Sequence, residues 1–264
     1  MNRALLLWAA LLVGACSSEF DPRGEAAVAV SVWGFVDVAA DTQWVRVDRI
    51  REALDPDLRP LDATVTLEEI ETGRAWPLRD SVVTSSLGRT VRLYWAVADV
   101  EPFRTYRLRI EGPEVGRSVA VATAPDSVRT FGVRRYKSDA EVTIAGVERY
   151  ADVQAIYTLS FRDALGAVRC CETRRVSYLR DLHRTVGVDR VFIRHQEDVE
   201  SFGRSAQLVD AAVLVAAAGP EWPDLPVRSG EALYLPDLES NVESGVGFFG
   251  AVATRTQRLV TTVP

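Results

Sequence analysis

TYRLRI (residues 105–110) and SVAVAT (residues 118–123) flank Gly112-Pro113, and each places apolar side chains at every second position. That spacing sets alternate residues on one face of an extended chain, so the pair predicts two strands joined by a turn. The same rhythm extends outward. Residues 90–97 form another strand candidate, with Pro102 behind it and Pro125 closing the series. Residues 63–67 alternate with threonine, and Glu71-Thr72-Gly73 turns the chain into residues 74–78, a hairpin signal. In residues 27–36, Val28, Val30, Val32 and Phe35 mix with small and aromatic neighbours. Short strands without intervening amphipathic helices predict a mainly β fold, with an immunoglobulin- or transthyretin-like β-sandwich over residues 26–125. Residues 48–54 are the one short helix expected there, in a long inter-strand loop. Trp33, Trp44, Trp76 and Trp95 are expected in its core.

Ala124-Pro125-Asp126 reads as a boundary, and residues 126–264 read as a second β-rich domain with room for one helix. Residues 128–135 could be a linking strand. Residues 153–161 and 167–176 flank Asp163-Ala164-Leu165-Gly166, a further hairpin signal. In residues 188–194, Val188, Arg190, Phe192 and Arg194 share one face, with Val191 and Ile193 on the other. Residues 205–218 (SAQLVDAAVLVAAA) are ambiguous, their alanines favouring helix and their valines strand, and the expectation leans to helix. Residues 247–254 and 257–263 close the chain as two strands.

The composition is that of a globular protein: 264 residues, 47% hydrophobic and 26% charged. A formal net charge of −6 argues against a nucleic-acid partner. Two histidines and three cysteines are too few for a zinc finger or a multi-histidine centre, so no metal site is expected.

Met1 to Cys16 runs MNRALLLWAALLVGAC, with one cation, an apolar run and small residues in secretory order. Ten apolar residues rise about 15 Å as a helix, half of a bilayer core, so a cleaved export signal is the better reading. Val13-Gly14-Ala15-Cys16 resembles the bacterial lipoprotein processing site. The resemblance implies residues 1–15 as signal peptide, acylation of Cys16, and a tether over residues 16–25. Ser17 after that cysteine favours the outer membrane over inner-membrane retention. Removing residues 1–15 takes away Arg3 and leaves a net charge of −7, so anchoring rests on lipid and not on a basic patch.

Asp41-Thr-Gln-Trp-Val-Arg-Val47, residues 63–67 with their turn, and Ser240-Asn-Val-Glu-Ser-Gly-Val-Gly-Phe-Phe-Gly250 resemble an uncharacterised bacterial envelope lipoprotein family. That family is a domain of unknown function of Bacteroidota type, often encoded beside TonB-dependent receptors. The resemblance touches both ends of the chain and leaves residues 140–230 aside. It implies an envelope role as a receptor accessory, and no catalytic residues.

Other constellations are weaker. Gly245-Val-Gly-Phe-Phe-Gly250 fits GxGxxG, but 14 residues without an acid follow, so a turn and bulged strand is expected and no cofactor. Gly245 and Gly247 would take unusual backbone angles while Phe248 or Phe249 packs inward. Cys170 and Cys171 adjoin on a predicted strand. They form either a strained vicinal disulfide or, closer to regular strand geometry, one buried and one partly exposed thiol. His183 and His195, with Glu197, Asp198 and Glu200 nearby, read as surface residues. No GxSxG elbow or phosphate loop is present. Arg169, Arg174, Arg175, Arg180, Arg184, Arg190 and Arg194 face only Glu172, Asp181 and Asp189 in the same segment. They could bind an anionic glycan, lipid or receptor face, or pair internally with the acidic remainder.

The sequence thus predicts a lipid-anchored, non-enzymatic interaction or accessory module, with its recognition surface on loops. Its membrane contact is the lipid on Cys16, and its partner an outer-membrane receptor or anionic ligand. A glycan- or solute-binding lipoprotein and an envelope hydrolase are the alternatives.

Overall fold

The computed structural model describes residues 30–50, 59–84, 88, 90–136, 138–163, 165–223 and 240–259. The readings on Cys16, the leader, the tether, residues 27–29, residues 51–54 and residues 260–263 lie outside them. The described residues are mainly β. The first half contains β1 (Val30–Asp37), β2 (Thr42–Arg49), β3 (Thr64–Glu69), β4 (Ala75–Pro77), β5 (Arg79–Thr84), β6 (Thr90–Val97), β7 (Thr105–Gly112) and β8 (Gly116–Thr123). The second contains β9 (Thr130–Arg135), β10 (Ala140–Ala145), β11 (Tyr150–Arg162), β12 (Val168–Ser177), β13 (Asp189–Ile193) and β14 (Ala206–Ala218). β15 (Val242–Glu243) and β16 (Val246–Arg258) follow. A 3₁₀ turn covers Leu179–Asp181, and the single α-helix described, α1, covers His195–Ser201.

One eight-stranded sheet, ordered β12-β11-β14-β16-β1-β2-β6-β5, runs the length of the molecule. Two smaller sheets accompany it, β15-β8-β7-β3-β4 and β13-β10-β9. In the first half the strand order β1-β2-β6-β5 against β8-β7-β3 is the A-B-E-D against G-F-C order of an immunoglobulin-like Greek key, with the short β4 added beside β3. Tyr106 supplies the tyrosine corner of that fold, its phenol oxygen accepting the Glu101 amide N–H at 2.8 Å. Burial pushes the phenol pKa up to about 12, against the lowering effect of this hydrogen bond. Alternation builds the core. Val45 and Val47, Leu108 and Ile110, and Val30 and Val32 all point inward. Each such side chain removed from water contributes about 1.5–3 kcal/mol.

β16 joins the halves. Its first part pairs in parallel with β1, from Ser31↔Val246 to Asp37↔Val252, and its last part pairs antiparallel with β14, from Ala218↔Val252 to Ala212↔Arg258. Phe249 and Ala251 enter the first core and Ala253 the second. These odd positions share one face of a strand, so both small sheets cover the same face of the long sheet. The junction is pinned by Asp37, which accepts the Thr254 amide at 3.1 Å and its hydroxyl at 2.7 Å. Arg255 reaches the carbonyls of Val128 and Arg129 at 2.7 and 2.8 Å.

Several expectations are corrected. Asp48 and Arg49, placed at the start of a short helix, belong to β2. Residues 205–218 are not helical. They form β14 between β11 and β16, where Ala211, Val213, Val215 and Ala217 face the second core. Small residues suit a central strand paired along both edges and buried on both faces at its C-terminal end, and that packing overrides the alanines' helical preference. Residues 128–135 hold β9, which is no mere linker but one strand of the three-stranded sheet. The first predicted closing strand, 247–254, lies within β16, which continues without a break through residues 257–258 of the second. Gly247 has φ 109°, as expected, but Ser244 rather than Gly245 takes the other left-handed angle, at 55°. Phe249 packs inward, while Phe248 is buried on the opposite face.

Candidate functional site

The uncovered face of the long sheet carries a row of rings. Along one line of cross-strand neighbours stand Gly250, Phe35, Trp44, Trp95 and Arg79. Their parity is fixed by the core: Val36, Val45 and Tyr94 point inward, so their sequence neighbours point out. Trp44 stacks on Trp95 with centroids 5.7 Å apart and planes 28° from parallel. The Arg79 guanidinium lies 5.7 Å from the Trp95 ring centroid. Trp95 is thus held from two sides, and Trp44 remains 43% exposed. Phe35, 46% exposed, turns instead to Trp222 at 6.2 Å, edge to face. Trp222 also meets Phe248 at 5.0 Å and lies over Gly250, where a Cβ would sit 2.6 Å from the Phe248 ring. Glycine there makes room for two rings. Among the described residues no ring contact joins Phe35 to Trp44, so the row is open between them. Arg46 and Asp48, ion-paired at 2.5 Å, lie on the same face one step along β2.

This corrects the expectation that the tryptophans are core residues. Trp76 does pack against the first core, near Tyr106. Trp44 and Trp95 stand on the solvent side, with Trp33 half-buried on the same face. The sequence carried the signal, because in TQWVRVDR the inward phase belongs to Val45 and Val47 and leaves Trp44 with Arg46 and Asp48. Contiguous exposed rings are uncommon on soluble surfaces unless something binds them.

The residues singled out from sequence do not converge. Arg169, Arg174 and Arg175 lie on β12, Arg180 in the 3₁₀ turn, and Arg184 in the loop behind it. Arg190 is on the outer side of β13 beside Glu141, at 3.5 Å, and Arg194 precedes α1, 3.8 Å from Glu197. Arg184 donates to the Glu148 carbonyl at 2.7 Å. Cys170 and Cys171 are joined in a disulfide on exposed β12, so neither is buried. His183 is exposed and exchanges backbone hydrogen bonds with Arg190, while His195 opens α1. Among the described residues no group of three or more His, Cys, Asp and Glu is placed to hold a metal ion, and no helix is long and apolar enough to cross a membrane.

Asp198 turns out to be structural. Its Oδ2 accepts from both Tyr157 and Tyr178, the latter at 2.6 Å, and Tyr178 in turn accepts the Arg194 amide at 2.9 Å. Tyr150 donates to Asp189 at 2.7 Å, and Asp189 is only 7% exposed. Burial first, then the neighbouring carboxylate, raises all three phenols above the ordinary tyrosine pKa. These groups tie α1 and β13 to the long sheet. A cleft of about 150 Å³ opens between Val47, Leu61 and Glu114, and the Arg49–Glu114 ion pair lies at its wall.

No family model matches the chain, and no curated protein matches it. Among solved structures it is similar to a pullulanase from Anoxybacillus sp. LM18-11 and to the same enzyme complexed with maltotriose. Each match has 11% identity, 70% of this chain, 24% of the other and a TM-score of 0.23. The chain spans about a quarter of those proteins, and a likeness so low carries no argument.

Proposed function

We propose that this protein is a non-catalytic, lipid-anchored binding module of the outer membrane, acylated at Cys16, which recognises saccharide rings on the outer face of its long sheet. The observation that carries the reading is the outward row of half-exposed Phe35 and Trp44 and the less exposed Trp95, buttressed by Trp222 at one end and Arg79 at the other. A pyranose has an apolar C–H face and a rim of hydroxyls. Aromatic faces match the first, and the Arg46–Asp48 pair offers donors and acceptors to the second. Rings of this kind bind and orient, and they transfer no proton. On this reading recognition lies on a sheet face, where the sequence suggested loops. An accessory role beside an outer-membrane transporter is the second reading, favoured by the resemblance to envelope lipoproteins and by a long exposed edge strand.

The test uses full chain purified from detergent-solubilised envelope. Affinity electrophoresis through a panel of neutral and acidic polysaccharides should retard it, and the bound sugar should shift tryptophan fluorescence. Trp44→Ala should weaken binding at least about tenfold, since one stacked ring contributes about 0.5–1.5 kcal/mol beyond its buried area. No retardation by any polysaccharide defeats the reading. A stoichiometric β-barrel recovered with wild type and lost with Cys16→Ala would put the accessory role first.

A further inference from the structure

We infer that β12 is a docking edge for an acidic, extended segment of a partner protein, which adds to the long sheet as a ninth strand. β12 is the terminal strand of that sheet and pairs with β11. Nine of its ten residues are exposed, on both faces, so the three-stranded sheet gives it little cover. A strand at such an edge presents unpaired main-chain donors and acceptors, the template for strand addition. The side chains set the partner's charge. Arg169, Arg174 and Arg175 stand on β12 and Arg180 follows it, against Glu172 alone within the strand.

Their internal contacts are ones a ligand can replace. Arg174 holds Glu172 at 2.6 Å, and both are half-exposed. Arg169 lies 3.6 Å from Asp163 and is 80% exposed. Arg175 donates to the neutral Gln154 side chain at 3.2 Å, so its charge faces no carboxylate there. Exposed pairs of this kind contribute little to stability, whereas a carboxylate on an added strand would meet the guanidinium fork as a cross-strand neighbour. A second copy in the same place would bring two strands of net positive charge together, which disfavours it. The irregularity between Leu159↔Glu172 and Ser160↔Cys170 leaves Cys171 unpaired and interrupts the edge, so residues 172–177 are its regular part. The inference goes beyond the saccharide reading and uses a different part of the sheet.

The probe is a ten-residue peptide alternating glutamate and threonine, capped at both ends, with a lysine–threonine peptide as control. Added to the full chain at low salt, it should slow hydrogen exchange within residues 172–177. Reversing two charges with R174E/R175E should weaken binding at least about tenfold. Arg175→Gln, which keeps the side chain's bulk, is the second variant should the double reversal melt early, and it should weaken binding by a smaller factor. Trp44→Ala should bind the peptide as wild type does, which separates this inference from the saccharide reading. Equal binding of the lysine peptide, protection confined to other strands, or no binding at millimolar peptide would each overturn it. So would β12 protection that grows with protein concentration in the absence of peptide.

Discussion

The two sandwiches share a sheet and yet are closed by different chemistry. The first is sealed mostly by valine, leucine and isoleucine, with two buried phenols, Tyr94 and Tyr106, of which Tyr106 is pinned by hydrogen bonding at its corner. The second uses three phenols aimed at two carboxylates: Tyr157 and Tyr178 at Asp198, and Tyr150 at Asp189. Apolar packing tolerates small adjustments, whereas a buried hydroxyl that loses its acceptor is left with the full penalty of desolvation. The second sandwich should therefore be the more sensitive to single polar changes and to pH. Their outer surfaces differ too, with rings on the first and an arginine-bearing edge on the second.

The largest expected effect joins the two. Gly247→Ala would place a Cβ 2.1 Å from the Val32 carbonyl oxygen at a φ of 109°, where β16 meets β1. A loss of about 3 kcal/mol or more in urea denaturation is expected. One shifted transition would mean the sandwiches unfold as a unit, and two transitions would mean they do not. Asp198→Ala should cost about 2–4 kcal/mol by stranding two phenols, and hydrogen exchange should rise first around α1 and β11. Alkaline titration sharpens the same contrast. The folded phenols ionise above their ordinary value of 10.0, so below pH 10 both states are protonated and the contribution is complete. Above it the unfolded chain sheds protons that the folded chain keeps, and stability falls as pH rises. Melting temperature followed from pH 8 to 11.5 should drop beyond pH 10, and Phe substitution of Tyr150 or Tyr178 should flatten that drop more than Tyr106→Phe does. Tyr106→Phe should cost about 1 kcal/mol in the first sandwich, since the Glu101 amide loses its acceptor. Trp44→Ala should change stability least, by about 1 kcal/mol or less, because the ring is half in water already.

The first sandwich was legible because nearly every strand keeps one apolar face, so TYRLRI or TQWVRV reveals its phase unaided. β14 was not, because its last residues are buried on both faces and periodicity then carries no phase. The ring row was written in the same alternation, but the habit of assigning tryptophan to cores hid it. Whether the seven arginines form one patch was not legible for another reason. Nearness along the chain says nothing once a strand, a 3₁₀ turn, a loop and a second sheet separate them. Asp198 could not be found from sequence, since its two phenols lie 41 and 20 positions away.

The strand that both sandwiches share has a consequence for the order of events at birth. A chain made from its N-terminus holds all of β1 to β8 before β16 exists, since β8 ends at Thr123 and β16 begins at Val246. At about 5–20 residues per second, that interval lasts roughly 6–25 s. Throughout it β1 has an open flank, and β14, once made, waits for the same missing neighbour. Completion of both halves is one late event, and a chaperone that guards the newborn chain has two sheet edges to shield until the last strand arrives.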